Sequence, residues 1–210
     1  MYLKADEINI KEEKYMPTAA ENKVEFGLRN AHYAIATVEE GTGKISFDAP
    51  VKLPGAVSLT LDASGDLVRF KADDVDYYTN PNNQGYEGTL TLARIPESFK
   101  KDILGEEQTE GGVMVENSDA QTQRFAIMFE FQGDKKATRH VMYYCSANRP
   151  SLGSTTKDSG EPNTTDLSIT VSPRPDNSQV KAKTTAGTTD TIYESWYTTV
   201  YEKSSEVTEG

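Results

Sequence analysis

Two histidines and one cysteine bound the chemistry this chain can carry. His32 lies where a first strand begins and His140 stands at the start of another. Neither belongs to a His-x-x-x-His or Cys-x-x-Cys spacing, the kind that sets two zinc ligands on one face. Cys145 alternates with Val141 and Tyr143, which predicts that all three share one sheet face. A thiol so placed is a small buried hydrophobe, without the partner base a nucleophile needs. Asp73-Asp74-Val75-Asp76 is acidic, but it lacks the spaced Asp-x-Asp-x-Asp-Gly pattern and distant Glu of a calcium loop. Gly85-x-x-Gly88 and Gly41-x-Gly43 are not phosphate loops, because no helix start with Lys-Ser/Thr follows them. Paired carboxylates of the glycosidase kind cannot be identified from spacing alone. The residues therefore predict no catalytic, cofactor-binding or metal-binding site, no cofactor and no enzymatic activity.

The charge balance narrows the partners. Lys and Arg total 22 against 33 Asp and Glu, a net charge of −11 over 210 residues. Proteins that grip nucleic acid gain affinity by setting cations on phosphates. Here no basic run exceeds Lys100-Lys101 or Lys135-Lys136, so a DNA-gripping role is disfavoured. With a single cysteine there is no intramolecular disulfide. The N-terminal residues are polar, without the apolar stretch of a signal peptide, and no window has the length and apolarity of a membrane span. These features predict a soluble chain that does not use the usual secretion route.

The elements that would position any surface are mostly strands. Val57, Leu59 and Leu61 alternate with polar neighbours, and Phe125, Ile127, Phe129 and Phe131 with smaller or polar ones. Leu167, Ile169 and Val171 do the same. Period two sets each apolar group on one face, as an antiparallel sheet with one wetter side permits. Further strands are expected near Tyr33 to Val38, Val75 to Thr79, Tyr86 to Ile95 and Gln179 to Lys183. Pro54-Gly55, Ser64-Gly65-Asp66, Gly111-Gly112 and Gly133-Asp134 punctuate these runs with turn chemistry. About ten short strands of this kind predict a mainly β, antiparallel sandwich or barrel.

Two stretches break the pattern. Phe99 and Ile103 at four-residue spacing, with Gly105 as a stop, predict a short flanking helix over about 97–104. Ile192, Trp196 and Val200, with Tyr193, Tyr197 and Tyr201 beside them, favour a C-terminal helix over about 190–201, with a strand as the alternative. Two polar segments, 105–123 and 151–165, are expected to be long loops. The first carries Glu106, Glu107, Glu110, Glu116 and Asp119 with no cation from Gly105 to Asp119. Loops this long in a compact domain are usually functional or disordered.

Ordered blocks along the chain carry a resemblance. They are "NKVEFGLRNAHYA" (Asn22 to Ala34), "GKISFDAPVKLPGAVSLTLDASGD" (Gly43 to Asp66) and "GYEGTLTLARIPESFKKDILGE" (Gly85 to Glu106). "RHVMYYCSANRPS" (Arg139 to Ser151), "TDLSITVSPRPD" (Thr165 to Asp176) and the closing Trp196 with Val200-Tyr201 complete them. In this order the chain resembles the major tail protein, or tail tube protein, family of long flexible-tailed phages (siphophages) of Gram-positive bacteria. The resemblance implies a β-sandwich with a flanking helix, six copies per ring, and rings stacked into the tube through which DNA leaves the capsid. It implies a virion protein made and assembled in the host cytoplasm. Its implied partners are further copies of itself, the tape measure protein, the tail terminator and distal tail proteins, with DNA passing through the lumen without specific binding and no membrane contact. It carries over no catalytic residues, and it makes 105–119 and 151–165 the segments expected to order on assembly.

The expected organisation is a disordered extension over 1–21, one tail-tube domain over 22–202 and a flexible tail over 203–210. Lys11-Glu12-Glu13 before Met16 reads like a ribosome-binding site translated in frame, which makes a start at Met16 the alternative to a translated extension. The alternative function is a non-catalytic, carbohydrate- or surface-binding β-sandwich module.

Overall fold

A computed structural model describes residues 20–156, 160 and 162–203. The expected extension over 1–21 therefore lies almost wholly outside the described residues, as do the alternative start at Met16 and nearly all of the expected tail.

The described residues fold as antiparallel β structure with two short helices. Its main sheet has nine strands. In chain order these are β1 (Glu25–Val38), β2 (Ile45–Phe47), β3 (Val51–Lys52), β4 (Ala56–Ser64), β7 (Gly85–Leu92), β10 (Arg124–Gly133), β11 (Thr138–Ala147), β12 (Thr165–Val171) and β13 (Lys181–Lys183). The spatial path is β2-β1-β10-β11-β12-β7-β4, with β13 on β11 and β3 on β1. The sheet curls until β4, at one end, approaches β1, near the other. The closed interior holds Tyr33, Leu90, Phe125, Ile127, Leu167 and Ile169, all buried. The sandwich or barrel expected from alternation is thus a single curled sheet around one core.

Two bulges correct the simple alternation. Phe125 pairs with Cys145 and Ile127 with Met142, so β11 spends three residues where β10 spends two. The extra residue turns the strand over. Val141 and Tyr143 face outward, while Cys145 faces the interior, contrary to the shared face predicted for the three. In β4 the register shifts between Ala56 and Ser58. Val57 is left 55% exposed, and Ala56, Leu59 and Leu61 pack inward.

Helix α1 (Glu97–Asp102) follows β7 and plugs the interior. Phe99 sits edge-on to Tyr33 and Phe125, with centroids 5.0 and 5.5 Å away. The Tyr33 hydroxyl donates to Asp102 Oδ2 at 2.7 Å. Gly105 ends this segment with φ of 74°, as its spacing predicts. Helix α2 (Asp190–Ser195) is shorter than the 190–201 expected. Thr198-Thr199-Val200 resists a helix because β-branched side chains lose χ1 freedom there. The chain beyond α2 stays on the outer face of the sheet, where Trp196 and Tyr201 stack at 5.5 Å and cover Val141, Tyr143 and Met128.

The segment 105–123 is not a plain loop. It contains a small hairpin, β8 (Glu107–Gln108) with β9 (Met114–Val115). A strand that alternation did not reveal, β5 (Leu67–Ala72), pairs with β6 (Val75–Pro81) as a separate two-stranded sheet.

Candidate assembly surfaces

Among the described residues, the histidines and the cysteine are held by structural contacts. His32 Nδ1 lies 2.8 Å from the Asn30 carbonyl oxygen, and its ring stacks on Tyr197 at 4.6 Å. Cys145 is fully buried and its thiol is pushed up to about 12 by that burial, so it stays protonated at neutral pH. Among the described residues no three of His, Cys, Asp and Glu are grouped so as to share a metal ion. Gly88 lies within a strand, where a Cβ would meet Thr60 O of β4 at 1.9 Å. Gly41 and Gly43 lie in the connection between β1 and β2. These glycines serve close strand approach and turning.

His140 has a structural role with a measurable consequence. Its ring lies flat against Phe129, centroids 5.2 Å apart and planes within 8°. Its Nε2 is buried with no hydrogen-bond partner among the described residues. Burial lowers its pKa from 6.5 to about 4, and Glu25 opposes the shift only in part. The unfolded chain therefore takes up the proton first as pH falls. Stability is full above about pH 6.5 and falls between there and about pH 4. The expected loss is on the order of 2 kcal/mol, allowing for partial solvation of the ring. His140→Phe should flatten this slope. Urea unfolding at pH 7, 5.5 and 4.5 checks it, and an unchanged slope in the variant would contradict the assignment.

The surface features concentrate at the two ends of β7. At its N-terminal end, β4 and β7 continue into β5 and β6, with Gln84 N donating to Ser64 O at 3.0 Å across the junction. Gly65 makes the close crossing possible, since a Cβ there would meet Asn82 O at 1.8 Å. The result is a two-stranded arm. Its turn is Asp73-Asp74, with φ of 52° and 61°, between the paired Ala72 and Val75. Two successive positive φ values make this the primed hairpin turn whose twist suits paired strands, and aspartate tolerates that conformation better than most residues. The acidic run Asp73-Asp74-Val75-Asp76 is thus a hairpin tip, with Asp76 3.7 Å from Arg69. The arm carries large apolar side chains into solvent: Phe70 61%, Val75 60%, Tyr77 73% and Tyr78 57% exposed.

At the other end of β7, both segments expected to be long loops meet. Glu116, from the 105–123 segment, is ion-paired with Arg149, just before the 151–165 segment. Between them opens a cleft of about 440 Å³, bordered by Arg94, Lys100, Leu104, Met114 and residues 149–153. Lys100 pairs with Glu106 at 3.7 Å on its wall. Leu152 stands wholly exposed at its edge. Spacing and composition flagged the two segments but not their meeting. Of the arm, the strand expected near Val75 to Thr79 is β6, whereas β5 and its pairing were missed because the turn lacks glycine and β5 mixes apolar with charged residues.

A family model described as phage tail tube protein matches residues 16–209. Among solved structures, the chain is similar to the cryo-EM structure of the anti-feeding prophage cap (AFP tube terminating cap). The identity is 12% and the TM-score 0.46, over 80% of this chain and 98% of that one. No curated protein matches the chain.

Proposed function

The chain belongs to the phage tail tube protein family, matched over residues 16–209, and from that premise we propose that it polymerises into stacked hexameric rings forming the conduit for DNA ejection. Membership makes it a structural component of the phage tail. The observation that carries self-assembly is the β5–β6 arm, whose exposed Phe70, Tyr77 and Tyr78 have no place in the core of their own chain. Monomeric proteins rarely hold such apolar groups together in solvent unless they meet a partner. Residues 22–202 act as one tube-forming domain, assembled in the host cytoplasm. The tape measure protein, tail terminator and distal tail proteins are its further partners.

The charge balance supports a conduit that does not hold its cargo. Duplex DNA carries one negative charge per roughly 1.7 Å of axis, so a basic lining would retain it and an acidic one lets it slide. With a net charge of −11 the chain has carboxylates to spare for a lumen. No helix among the described residues is long and apolar enough to cross a membrane.

Electron microscopy of the concentrated full chain is the test. Rings or tubes with a central hole and an acidic inner wall are the expected result. A chain that stays monomeric at every concentration and binds a glycan would replace this reading with the carbohydrate-binding alternative. Tubes with a basic inner wall would refute the sliding lumen.

A further inference from the structure

The outer side of the main sheet has two halves of opposite character. Over β1, β10 and β11 it is apolar: Ala34, Ala126, Met128, Val141 and Tyr143 lie there, packed under Trp196 and the chain beyond α2. Over β4, β7 and β12 it is polar. Leu59, Leu90 and Leu167 of these strands pack into the interior, so the residues alternating with them point outward. Most of those outward residues are exposed.

The strand register sets them in rows. Asp62 stands opposite Glu87, which stands opposite Thr170. Two residues along, Thr60, Thr89 and Ser168 make a row of hydroxyls alone. Two further along, Ser58 and Asp166 flank Thr91, whose hydroxyl donates to Asp166 Oδ1 at 2.7 Å. The rows cover roughly 14 Å along the strands and roughly 10 Å across them. They hold no Lys, no Arg and no apolar side chain. Like charges directly opposite each other weaken a strand pair, so the fold gains nothing from Asp62 against Glu87. Neither forms an ion pair among the described residues. The other acidic surfaces differ. The 105–119 segment mixes its carboxylates with exposed Val113 and Val115, and the arm sets its own among Phe70, Arg69 and Lys71. Those surfaces offer apolar or cationic grips; the rows offer neither.

We infer that the outer face of β4, β7 and β12 lines the channel of the assembled tube, where it meets duplex DNA in transit without holding it. Hydroxyls stay hydrated and carboxylates repel phosphates, so no group on this face binds by releasing the counterions of DNA. Copies arranged around the channel repeat the Asp62–Glu87 pair as one acidic tier and Asp166 as a second. The tiers lie roughly 14 Å apart along the strands, with the hydroxyl row between them.

The inference rests on the tube reading, and labelling of tubes formed by the full chain separates the two. Thr89→Cys sits at the centre of the face; Cys145 is buried and stays silent in the folded chain. In tubes, a small maleimide should label Thr89→Cys fully. A maleimide carrying a large polyethylene glycol should label it at least tenfold less than in free subunits. Asp62→Lys with Glu87→Lys should let tubes take up a short DNA duplex in nuclease-resistant form, at least tenfold above wild type, with uptake falling as salt rises. Circular dichroism confirms that each variant folds. Equal labelling by both reagents places the face on the tube exterior, and labelling by neither places it inside a subunit contact. Either result overturns the channel face and leaves the tube reading intact. Lysine-bearing tubes that take up no more DNA than wild type also overturn it. A wild-type chain that never forms tubes overturns both.

Discussion

Arg174→Met is expected to lower unfolding stability by about 3 kcal/mol, because it strands a carboxylate that the fold places against a buried guanidinium. Arg174 is 1% exposed at its side chain. Its Nε and Nη2 donate to the two oxygens of Asp176 at 2.9 and 2.6 Å, and Nη1 donates to Glu202 at 2.6 Å. Asp176 also accepts from the Ile45 amide at 3.1 Å. One side chain therefore ties the turn after β12 to β2 and to the C-terminal segment, beneath the rings of Phe47 and Tyr143. Bidentate, desolvated geometry of this kind is the strong form of the ion pair. Glu202 is 43% exposed and can turn to water, so most of the loss falls on Asp176.

The pH dependence identifies the cause. Hydrogen bonding from Arg174 holds the Asp176 carboxyl down to about 2, from an ordinary 3.8. A depressed carboxylate contributes stability above its unfolded value and loses it as pH falls from 3.8 toward 2. That slope should vanish in Arg174→Met, and it lies below the window assigned to His140. Adding Asp176→Leu should recover part of the loss by removing the stranded charge. Guanidinium unfolding across pH 2 to 7 measures both effects. A loss under about 1 kcal/mol, with the acid slope intact, would show that the network is ornamental.

Nothing local in the sequence marks Arg174. Its second partner lies 28 residues away, and an Arg two places before an Asp is common on any surface. What the sequence did expose were features repeated along the backbone. The sets Phe125/Ile127/Phe129 and Leu167/Ile169/Val171 mark their strands because period two survives any tertiary context that keeps one face dry. Gly105 marks the end of α1 because few residues other than glycine accept its positive φ. The bulges at Met142–Cys145 and Val57 escaped notice because inserting one residue reverses a face without changing composition. The candidate surfaces were half legible. The loop segments on either side of the cleft show in their polarity, but their meeting through Glu116 and Arg149 depends on how β10, β11, β12 and β7 lie side by side. The arm's Asp73-Asp74 turn was visible in principle, since aspartate accepts the left-handed conformation, but the pair reads equally well as a solvated acidic cluster.

The second large effect is expected at Phe99, and it links core packing to the cleft beside Glu116 and Arg149. Its ring is wholly buried where α1 closes the curled sheet. Tyr33 and Phe125 contact it edge-on, an arrangement that adds to the area it buries. Truncation to alanine removes the ring and both aromatic contacts. The walls on two sides are strands fixed by their ladders, so the site cannot collapse. The upper part of the usual range for such a change applies, about 4 kcal/mol. Phe99→Leu keeps most of the volume and should lose less than half as much. The damage should not stay in the core. Lys100, next to Phe99 in α1, and Leu104, just past the end of the helix, border the cleft, and the Ile103 carbonyl accepts from the Gln123 amide at 2.8 Å, fixing the far end of the 105–123 segment. Loosening α1 therefore frees one wall of the cleft while the arm, built only from β5 and β6, is untouched. Hydrogen exchange on Phe99→Ala, under conditions where the chain remains folded, should show faster exchange across 97–123 and unchanged exchange in 67–81. Equal acceleration in both segments would mean that the substitution lowers global stability alone and that α1 does not organise the cleft.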